Sequence, residues 1–244
     1  MSFHLTISAN FRTGASLPSI DDQYNDLWKI AKSLETAGLP LDGWFPPADS
    51  EANSLLNNAF VPTGPSPAAL AMAKADKSNL ATDLRTLGVW NGEENEGAIV
   101  YTATYNTGRI PSHFDFSADE VPAFMDYRNV VNLVQTLIRL WRPMLVKIAP
   151  GGYAGKNVFP DRPPVGWMIY LPFEIDSKQV PEAAVILPIL DEHDNKQRLG
   201  TLIVSVAETF DPNNPEHVKK ANAIETRLVD QDLLPTLREF VTRF

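Results

Sequence analysis

One amphipathic stretch, residues 127–141, constrains the fold of this 244-residue chain more than any other feature. Its apolar side chains recur at intervals of three and four, the spacing of one face of an α-helix. They are Tyr127, Val130, Val131, Val134, Leu137, Ile138 and Trp141. Pro143 ends the helix, because proline has no amide donor and its ring clashes with the preceding turn. Burying such a face contributes roughly 1.5–3 kcal/mol per side chain, so the helix requires a sheet to pack against.

The rest of the chain supplies strands for that sheet. Residues 3–9 alternate apolar and polar side chains, as a half-buried strand does. Further strands are predicted at residues 98–105, 110–116, 165–171, 183–190 and 199–207. Pro111 limits the strand at 110–116 to a sheet edge, because proline cannot donate to a ladder. The strand at 165–171 is apolar on both faces, which is typical of a central strand.

Helices stand between these groups of strands. One begins near Ser19 or Asp21 and ends at Gly38, and a second is predicted at residues 67–75. The sequence 117–120, Ser-Ala-Asp-Glu, is a capping box leading towards the helix at 127–141. Asn214 and Pro215 are a favourable cap and first position for a later helix. A last helix carries the apolar residues Leu234, Leu237, Val241 and Phe244.

Strands that arrive in hairpins, with helices between them, indicate an α+β fold with a mainly antiparallel sheet. The chain is one domain over residues 1–244, or it divides into a strand-helix-loop part at 1–90 and a sheet-helix part at 91–244. Residues 39–67 form an irregular excursion between helices. Its aromatic residues Trp44 and Phe45 either pin this loop to the core or serve as anchors for a partner.

The composition excludes several classes of protein. There are no cysteines, which removes disulfides, thiolate zinc sites and cysteine nucleophiles, and which favours the cytoplasm. No apolar run approaches the length of a membrane span, and the first residues do not resemble a signal peptide. We therefore expect a cytoplasmic protein that does not enter a membrane.

The charge is unevenly distributed. The formal net charge of −9 argues against general nucleic-acid binding, which requires a basic surface. Residues 86–126 contain seven acids and one base, whereas residues 127–163 contain six bases and one acid. The acidic block is either a solvated face or a negative patch for a basic partner protein. The candidate partner-binding acids are Glu93, Glu94, Glu96, Asp115, Asp119 and Glu120, with the turn residues Asp191, Glu192 and Asp194 as a second set.

No motif names a reaction. The sequence 151–156, Gly-Gly-Tyr-Ala-Gly-Lys, has three residues between its outer glycines where a phosphate-binding loop has four, and Asn157 stands where that motif has Ser or Thr. His113 and Asp115 lie two apart on a strand, a spacing that could ligate a metal or orient an imidazole. The other histidines, His4, His193 and His217, are interpreted as structural or solvated. We expect no catalytic residue, no cofactor and no metal.

Four segments carry a resemblance to a known family: FHLTI at residues 3–7, DDQYNDLW at 21–28, GLPLDGW at 38–44 and GTLIVSV at 200–206. The chain resembles, over nearly its full length, the immunity-protein-52 family of bacterial polymorphic toxin systems. The resemblance implies an α+β inhibitor encoded beside a toxin with a restriction-endonuclease-like nuclease domain. It implies no catalytic residues.

The leading hypothesis is therefore a cognate immunity protein that binds and neutralises a nuclease effector of a contact-dependent or type VI secretion system. Its partner would be the basic nuclease domain of that toxin, with no direct contact to nucleic acid. Two alternatives remain open. One is a metal-dependent hydrolase that uses His113 and Asp115, and the other is an effector chaperone or adaptor that does not inhibit.

Overall fold

The computed structural model of the chain describes residues 3–192, 194 and 197–243, and it has the predicted α+β fold. The strands are β1 His4–Phe11, β2 Phe60–Val61, β3 Gly64–Pro65, β4 Leu84–Trp90, β5 Ile99–Asn106, β6 Ser112–Asp119, β7 Leu145–Pro150, β8 Met168–Leu171, β9 Val185–Leu190 and β10 Arg198–Val204. The α-helices are α1 Ile20–Leu34, α2 Glu51–Ser54, α3 Pro67–Ala75, α4 Tyr127–Trp141, α5 Pro215–Asp230 and α6 Leu237–Arg243. His193, Phe244 and the side chain of Val241 lie outside the described part.

Eight strands form one antiparallel sheet in the order β4-β5-β6-β1-β7-β8-β10-β9, while β2 and β3 form a separate small hairpin. The first strand, β1, lies in the interior and pairs with both β6 and β7. The sheet therefore joins both parts of the chain that were considered as subdomains. Strands β4 and β9 are its two edges.

Helices α1 and α4 cover one face of the sheet. The Trp141 ring at the end of α4 stacks on Phe11 of β1, with centroids 4.7 Å apart and an interplanar angle of 4°. The Tyr101 hydroxyl of β5 donates to the carbonyl of Leu27 in α1 at 3.1 Å. The apolar face of α4 is buried over Val130–Ile138, and the helix has the predicted bounds. The amphipathic stretch is thus a structural anchor of the core.

The opposite face of the sheet is covered only over its second half. Every residue of β8 is buried, and so are Thr201 and Ile203 of β10. The Thr201 hydroxyl donates to the carbonyl of Phe173 at 2.7 Å, which places the segment after β8 over this face. Helix α5 packs beside that segment, because its Arg227 guanidinium pairs with Glu182. Its Glu225 carboxylate accepts from the Val158 and Phe159 amides. No segment of the described chain covers the first half of this face in the same way.

Several local predictions are confirmed. The Ser19 hydroxyl caps α1 by accepting from the Asp22 amide at 3.1 Å, and Gly38 takes a φ of +81° in the left-handed region after the helix. Asn214 caps α5, with Pro215 at its first position. Strands β9 and β10 form the predicted hairpin.

Two predictions near β6 are wrong. Pro111 precedes β6, which pairs with β5 on one side and β1 on the other, so β6 is an interior strand. The sequence 117–120 does not cap α4, because its first three residues belong to β6. Asp126 caps α4 instead, and its carboxylate accepts from the Arg128 amide at 2.9 Å. Pairing of β6 with strands on both sides therefore outweighs the local preference of residues 117–120 for a helix cap.

Strands β4 and β7 were not predicted. Gly88 interrupts the alternation of side chains along β4, and the structure explains why glycine stands there. A Cβ atom at this position would lie 2.8 Å from the Tyr101 carbonyl of the neighbouring strand. Strand β7 follows α4 after only a short turn. In the sequence, its residues therefore look like a continuation of the helical segment. Both strands are fixed by pairing with distant parts of the chain.

The loop aromatics pin the excursion at residues 39–67 to the core. Trp44 is 1% exposed and packs edge-on against Tyr101, with ring centroids 5.0 Å apart. Phe60 is also buried, and the Phe45 backbone forms an isolated bridge with Trp90 at the end of β4. Trp44 is therefore a core residue and is not available as a partner anchor.

No helix among residues 3–192 and 197–243 combines the length and the apolar character that crossing a membrane requires.

Buried Glu225 gives folding stability a predicted pH dependence. Burial raises the pKa of this carboxyl above its ordinary value of 4.5, although it accepts from the Val158 and Phe159 amides. The folded state therefore holds the proton longer than the unfolded state. The contribution of this group to stability falls as pH rises from about 4.5 through the raised folded pKa. Replacing Glu225 by Gln should remove this slope in urea unfolding measured from pH 4 to 8.

Glu182 is the control, because its pKa shift and its effect on the pH dependence of stability are opposite to those of Glu225. Its hydrogen bond from Arg227 lowers the pKa of the carboxyl below 4.5. It therefore stabilises the fold above pH 4.5, and that contribution is lost as pH falls through its folded pKa. The variant Glu182→Gln should lose stability relative to the wild type as pH rises. Identical slopes for the wild type, Glu182→Gln and Glu225→Gln would contradict the assignment.

Candidate interaction face of the sheet

Over β4, β5, β6, β1 and β7, the face of the sheet opposite α1 and α4 is open to solvent. Along each of these strands, apolar and polar side chains alternate. The apolar ones point into the core, and the polar ones point to this face. Thr6, Val100 and Asp115 are exposed, and Ser8 and Ser117 are half-buried. We call this surface the open face, with outward residues His4, Thr6, Ser8, Asn10, Thr86, Trp90, Val100, Thr102, His113, Asp115, Ser117, Asp119 and Lys147.

Three shallow depressions on the open face meet at Val100. They have volumes of about 430, 530 and 200 Å³, and Val100 lines all of them. Its side chain is exposed although it is apolar, since residue 100 is 45% accessible. Beside it, the Trp90 indole donates to the Ser54 hydroxyl at 2.7 Å and lines two of the depressions. The centre of the open face is thus apolar and its surroundings are polar.

Two of the predicted acids stand at the rim of this centre. Glu93 and Glu94 lie in the turn between β4 and β5, are exposed, and line the 530 Å³ depression. The turn is held by Asn91, whose amide group donates to the Gly97 carbonyl and accepts from the Ile99 amide, both at 2.8 Å. Within the described part of the chain, no ion pair joins either glutamate to a basic side chain.

Asp115 and Asp119 lie on β6 in the same face. An Asp119 oxygen is 3.7 Å from Nδ1 of His4, and an Asp115 oxygen is 3.6 Å from Nε2 of His113. Both carboxylates stay well exposed in these pairs. On strand β7, burial lowers the pKa of the Lys147 ammonium, and the charge of Asp115 opposes that shift.

The remaining acids of the first set have other surroundings. Glu96 is exposed in the β4–β5 turn but does not line a depression. Glu120 adopts a left-handed φ of +51°, and its carboxylate accepts from the Phe3 amide at 2.9 Å. Glu120 therefore ties the start of β1 to the end of β6, which is a structural role.

The second set of acids lies at the other edge of the sheet, after β9. Asp191 is 6% exposed and binds the Arg142 guanidinium, and a Glu192 oxygen lies 3.1 Å from Arg139. The Asp194 amide donates to Asp191 at 3.4 Å. The basic end of α4 thus neutralises much of this turn. The structure brings Glu93, Glu94, Asp115 and Asp119 together and separates them from the second set.

The histidines give little support to metal chemistry. His113 and Asp115 are close enough to share an ion, but the described residues contain no group of three histidine, cysteine or acidic side chains that could hold one. His217 at the start of α5 is buried, accepts from the Asp211 amide at 2.9 Å, and lies 3.2 Å from Glu208. Lys156 in the glycine loop donates to the Pro212 carbonyl at 2.6 Å, and no helix follows it.

Sequence reasoning missed the apolar centre of the open face because it missed β4. Trp90 belongs to that strand, and Val100 is placed beside it by the β4–β5 pairing. The available signal was the alternation of Arg85, Leu87 and Val89 with Thr86 and Trp90. Gly88 lies between Thr86 and Trp90 on the outward side, and because it has no side chain it obscured this alternation.

The comparisons with known proteins give a fold and no family. No family model matches the chain, and no curated protein matches it. Membership of the immunity-protein-52 family therefore stays a prediction. Among solved structures, the chain is similar to the Pseudomonas aeruginosa T6SS protein PA0821, with 12% sequence identity and a TM-score of 0.57. The match covers 93% of this chain and 73% of that chain, so the two proteins share their fold over nearly the whole of this sequence.

Proposed function

We propose that this protein is a cognate immunity protein, which binds a nuclease effector of a type VI secretion system and blocks its activity. The open face is the proposed binding surface. The observation that carries the proposal is the chemistry of this surface: acids surround an exposed apolar centre on a preformed sheet.

The electrostatics favour a basic partner. The three depressions of the open face and a fourth beside β4 are lined by seven acids, and no described lysine or arginine lines any of them. These acids are Asp49, Glu51, Asp76, Glu93, Glu94, Asp115 and Asp119. A nuclease presents basic side chains to DNA phosphates, so such a face would attract the cleft and compete with DNA.

The apolar centre would supply affinity that charge alone does not. Exposed charges are solvated and screened by salt, whereas an apolar contact gains from excluding water. Trp90 and Val100 lie where an apolar side chain, or the stem of an arginine, could pack between the acids. Tryptophan is enriched among residues that dominate binding energy.

The fold comparison is compatible with this assignment. PA0821 is described as a protein of the type VI secretion system, and it shares its fold with this chain. A role beside a secreted effector would give the open face a partner.

The test is inhibition of the nuclease encoded by the adjacent gene. We expect purified protein to form a 1:1 complex with that nuclease and to stop cleavage of plasmid DNA at equimolar concentration. Continued cleavage without a complex would reject the proposal. A stable complex with full nuclease activity would favour a chaperone or adaptor instead.

The hydrolase alternative is tested in the same preparation. Metal analysis of the purified protein and of the variant His113→Ala would reveal an ion held by His113 and Asp115. A bound ion lost in the variant would support the hydrolase. Inhibition of the nuclease by His113→Ala at wild-type potency would support the immunity function.

A further inference from the structure

Strand β4 has an outer edge on which, apart from Trp90, the backbone groups lack a partner in the described structure. The Trp90 amide and carbonyl bond to Phe45 at 3.1 and 2.8 Å, so they point away from β5. The Asn91 amide donates to the Ile99 carbonyl, so the next residue points towards β5. Because these directions alternate along a strand, Thr86 and Gly88 point their backbone groups outward as Trp90 does. Beyond Phe45, no described segment pairs with this edge.

A slot of about 510 Å³ lies along this free edge. One wall is the segment 46–53, and the other is formed by the end of α3 and residues 76–79. Thr86, Leu87 and Gly88 line its inner side. The slot therefore presents the outward amide and carbonyl of the exposed Thr86 between two walls, which is a geometry that accepts an added strand.

The outer edge of β4 carries the charged residue Arg85 but lacks other common protections of an edge strand. Natural edge strands carry proline, lysine or a bulge that discourages pairing. The opposite edge strand, β9, contains Pro188, which cannot donate. Strand β4 has neither proline nor lysine. Of its two outward positions at the slot, Thr86 is exposed and Gly88 is buried.

The negative charge of the slot favours a basic occupant. Asp49 and Asp76 are exposed in its walls, and Glu51 and Glu94 line the depression that continues from it onto the open face. No described lysine or arginine lines either space. A basic segment in extended conformation satisfies both the backbone groups and the carboxylates.

We propose that an extended basic segment of the partner protein adds to β4 as a ninth strand of the sheet, pairing with the exposed Thr86. This inference rests on the proposed function for the identity of the partner, which is the nuclease toxin. The added strand would turn alternate side chains onto the open face, where they meet the acids around Val100. The proposed site then has two parts. The edge of β4 binds the backbone of the added segment, and the open face binds its basic side chains.

Thr86→Pro tests the edge. The substitution removes the outward amide and places the proline ring in the slot, while the pairing of β4 with β5 does not use that amide. It also removes the 2.8 Å contact between the Thr86 and Thr104 hydroxyls. Thr86→Val is the matched control, because it loses the same contact and keeps the amide. We expect Thr86→Pro to bind the adjacent-gene nuclease at least about tenfold more weakly than Thr86→Val.

Amide hydrogen exchange gives a second measurement on the unaltered protein. Adding the nuclease should slow exchange in peptides that cover residues 84–90, while peptides from β9 keep their rate. This measurement decides the case even if Thr86→Pro does not fold. A complex that leaves exchange at 84–90 unchanged and binds Thr86→Pro as tightly as Thr86→Val would overturn the added strand and spare the immunity function.

If the nuclease forms no complex, the proposed function fails and a peptide pair tests the edge by itself. The probe is a short capped peptide of alternating lysine and valine, and its control is the same peptide N-methylated at alternate residues. Binding of the probe that is lost on N-methylation and in Thr86→Pro would support an edge site for basic strands. Equal binding of both peptides, or of neither, would overturn it.

Discussion

Reversing the charge of three acids on the open face should nearly abolish toxin binding. In the triple variant Glu93→Lys, Glu94→Lys, Asp119→Lys, three carboxylates around one depression become ammonium groups. Electrostatic steering is worth about 10- to 1,000-fold in association rate, and repulsion replaces attraction. We expect the association rate to fall by about 100-fold at low salt and the nuclease to stay active at equimolar inhibitor. Stopped-flow binding at several salt concentrations measures the rate, and its dependence on salt should weaken or invert.

A second triple variant separates the local patch from the net charge. Glu174, Asp161 and Asp230 are exposed and lie outside the open face, so their reversal to Lys changes the net charge equally. We expect this control to associate at nearly the wild-type rate. If both triples slow association to the same extent, only the net charge matters, and the open face is not the binding surface.

Removing the Trp141 ring should cause the largest loss of stability among single changes on α4. The ring stacks on Phe11 and contacts Phe114 at a centroid distance of 5.3 Å. Its indole nitrogen donates to the Tyr105 hydroxyl at 3.2 Å and to Asp26 at 3.3 Å. Trp141 thus joins α4, α1 and three strands. Tryptophan-to-alanine changes in cores cost about 3–5 kcal/mol, and because Trp141 is half-buried we expect Trp141→Ala at the lower end of this range.

Trp141→Phe separates packing from hydrogen bonding. It retains an aromatic ring for Phe11 and loses the indole donor, so we expect a loss of about 1–2 kcal/mol. Urea unfolding followed by circular dichroism measures both variants. Equal losses in the two variants would mean that the hydrogen bonds dominate, contrary to our expectation. A loss below about 1 kcal/mol for Trp141→Ala would contradict the role of this ring in the core.

The sequence was informative wherever local periodicity and tertiary packing agreed. Helix α4 was predicted to its last residue, because its apolar spacing and the block at Pro143 are local properties. The alternation of β1 showed which of its side chains are buried. The capping box at 117–120 failed because the same residues pair better as a strand between two others.

The candidate site was only partly predictable for a similar reason. The acidic composition of residues 86–126 was evident, but composition could not show which acids share a surface. Pairing of β4, β5, β6 and β1 brings Glu93, Glu94, Asp115 and Asp119 to one face. Asp191 and Glu192 were the second choice for the binding surface in the sequence, and contacts with Arg142 and Arg139 neutralise them.

The sequence by itself determined the fold class, the central helix, the absence of cysteine chemistry and the acidic character of one block. These depend on side-chain type and on spacing within a few residues. Only the tertiary structure decided that half of one sheet face stays open, that Trp90 and Val100 form its centre, and that the edge of β4 is free. Those features depend on which distant segments pair, and such pairing is set by the energy of the whole fold.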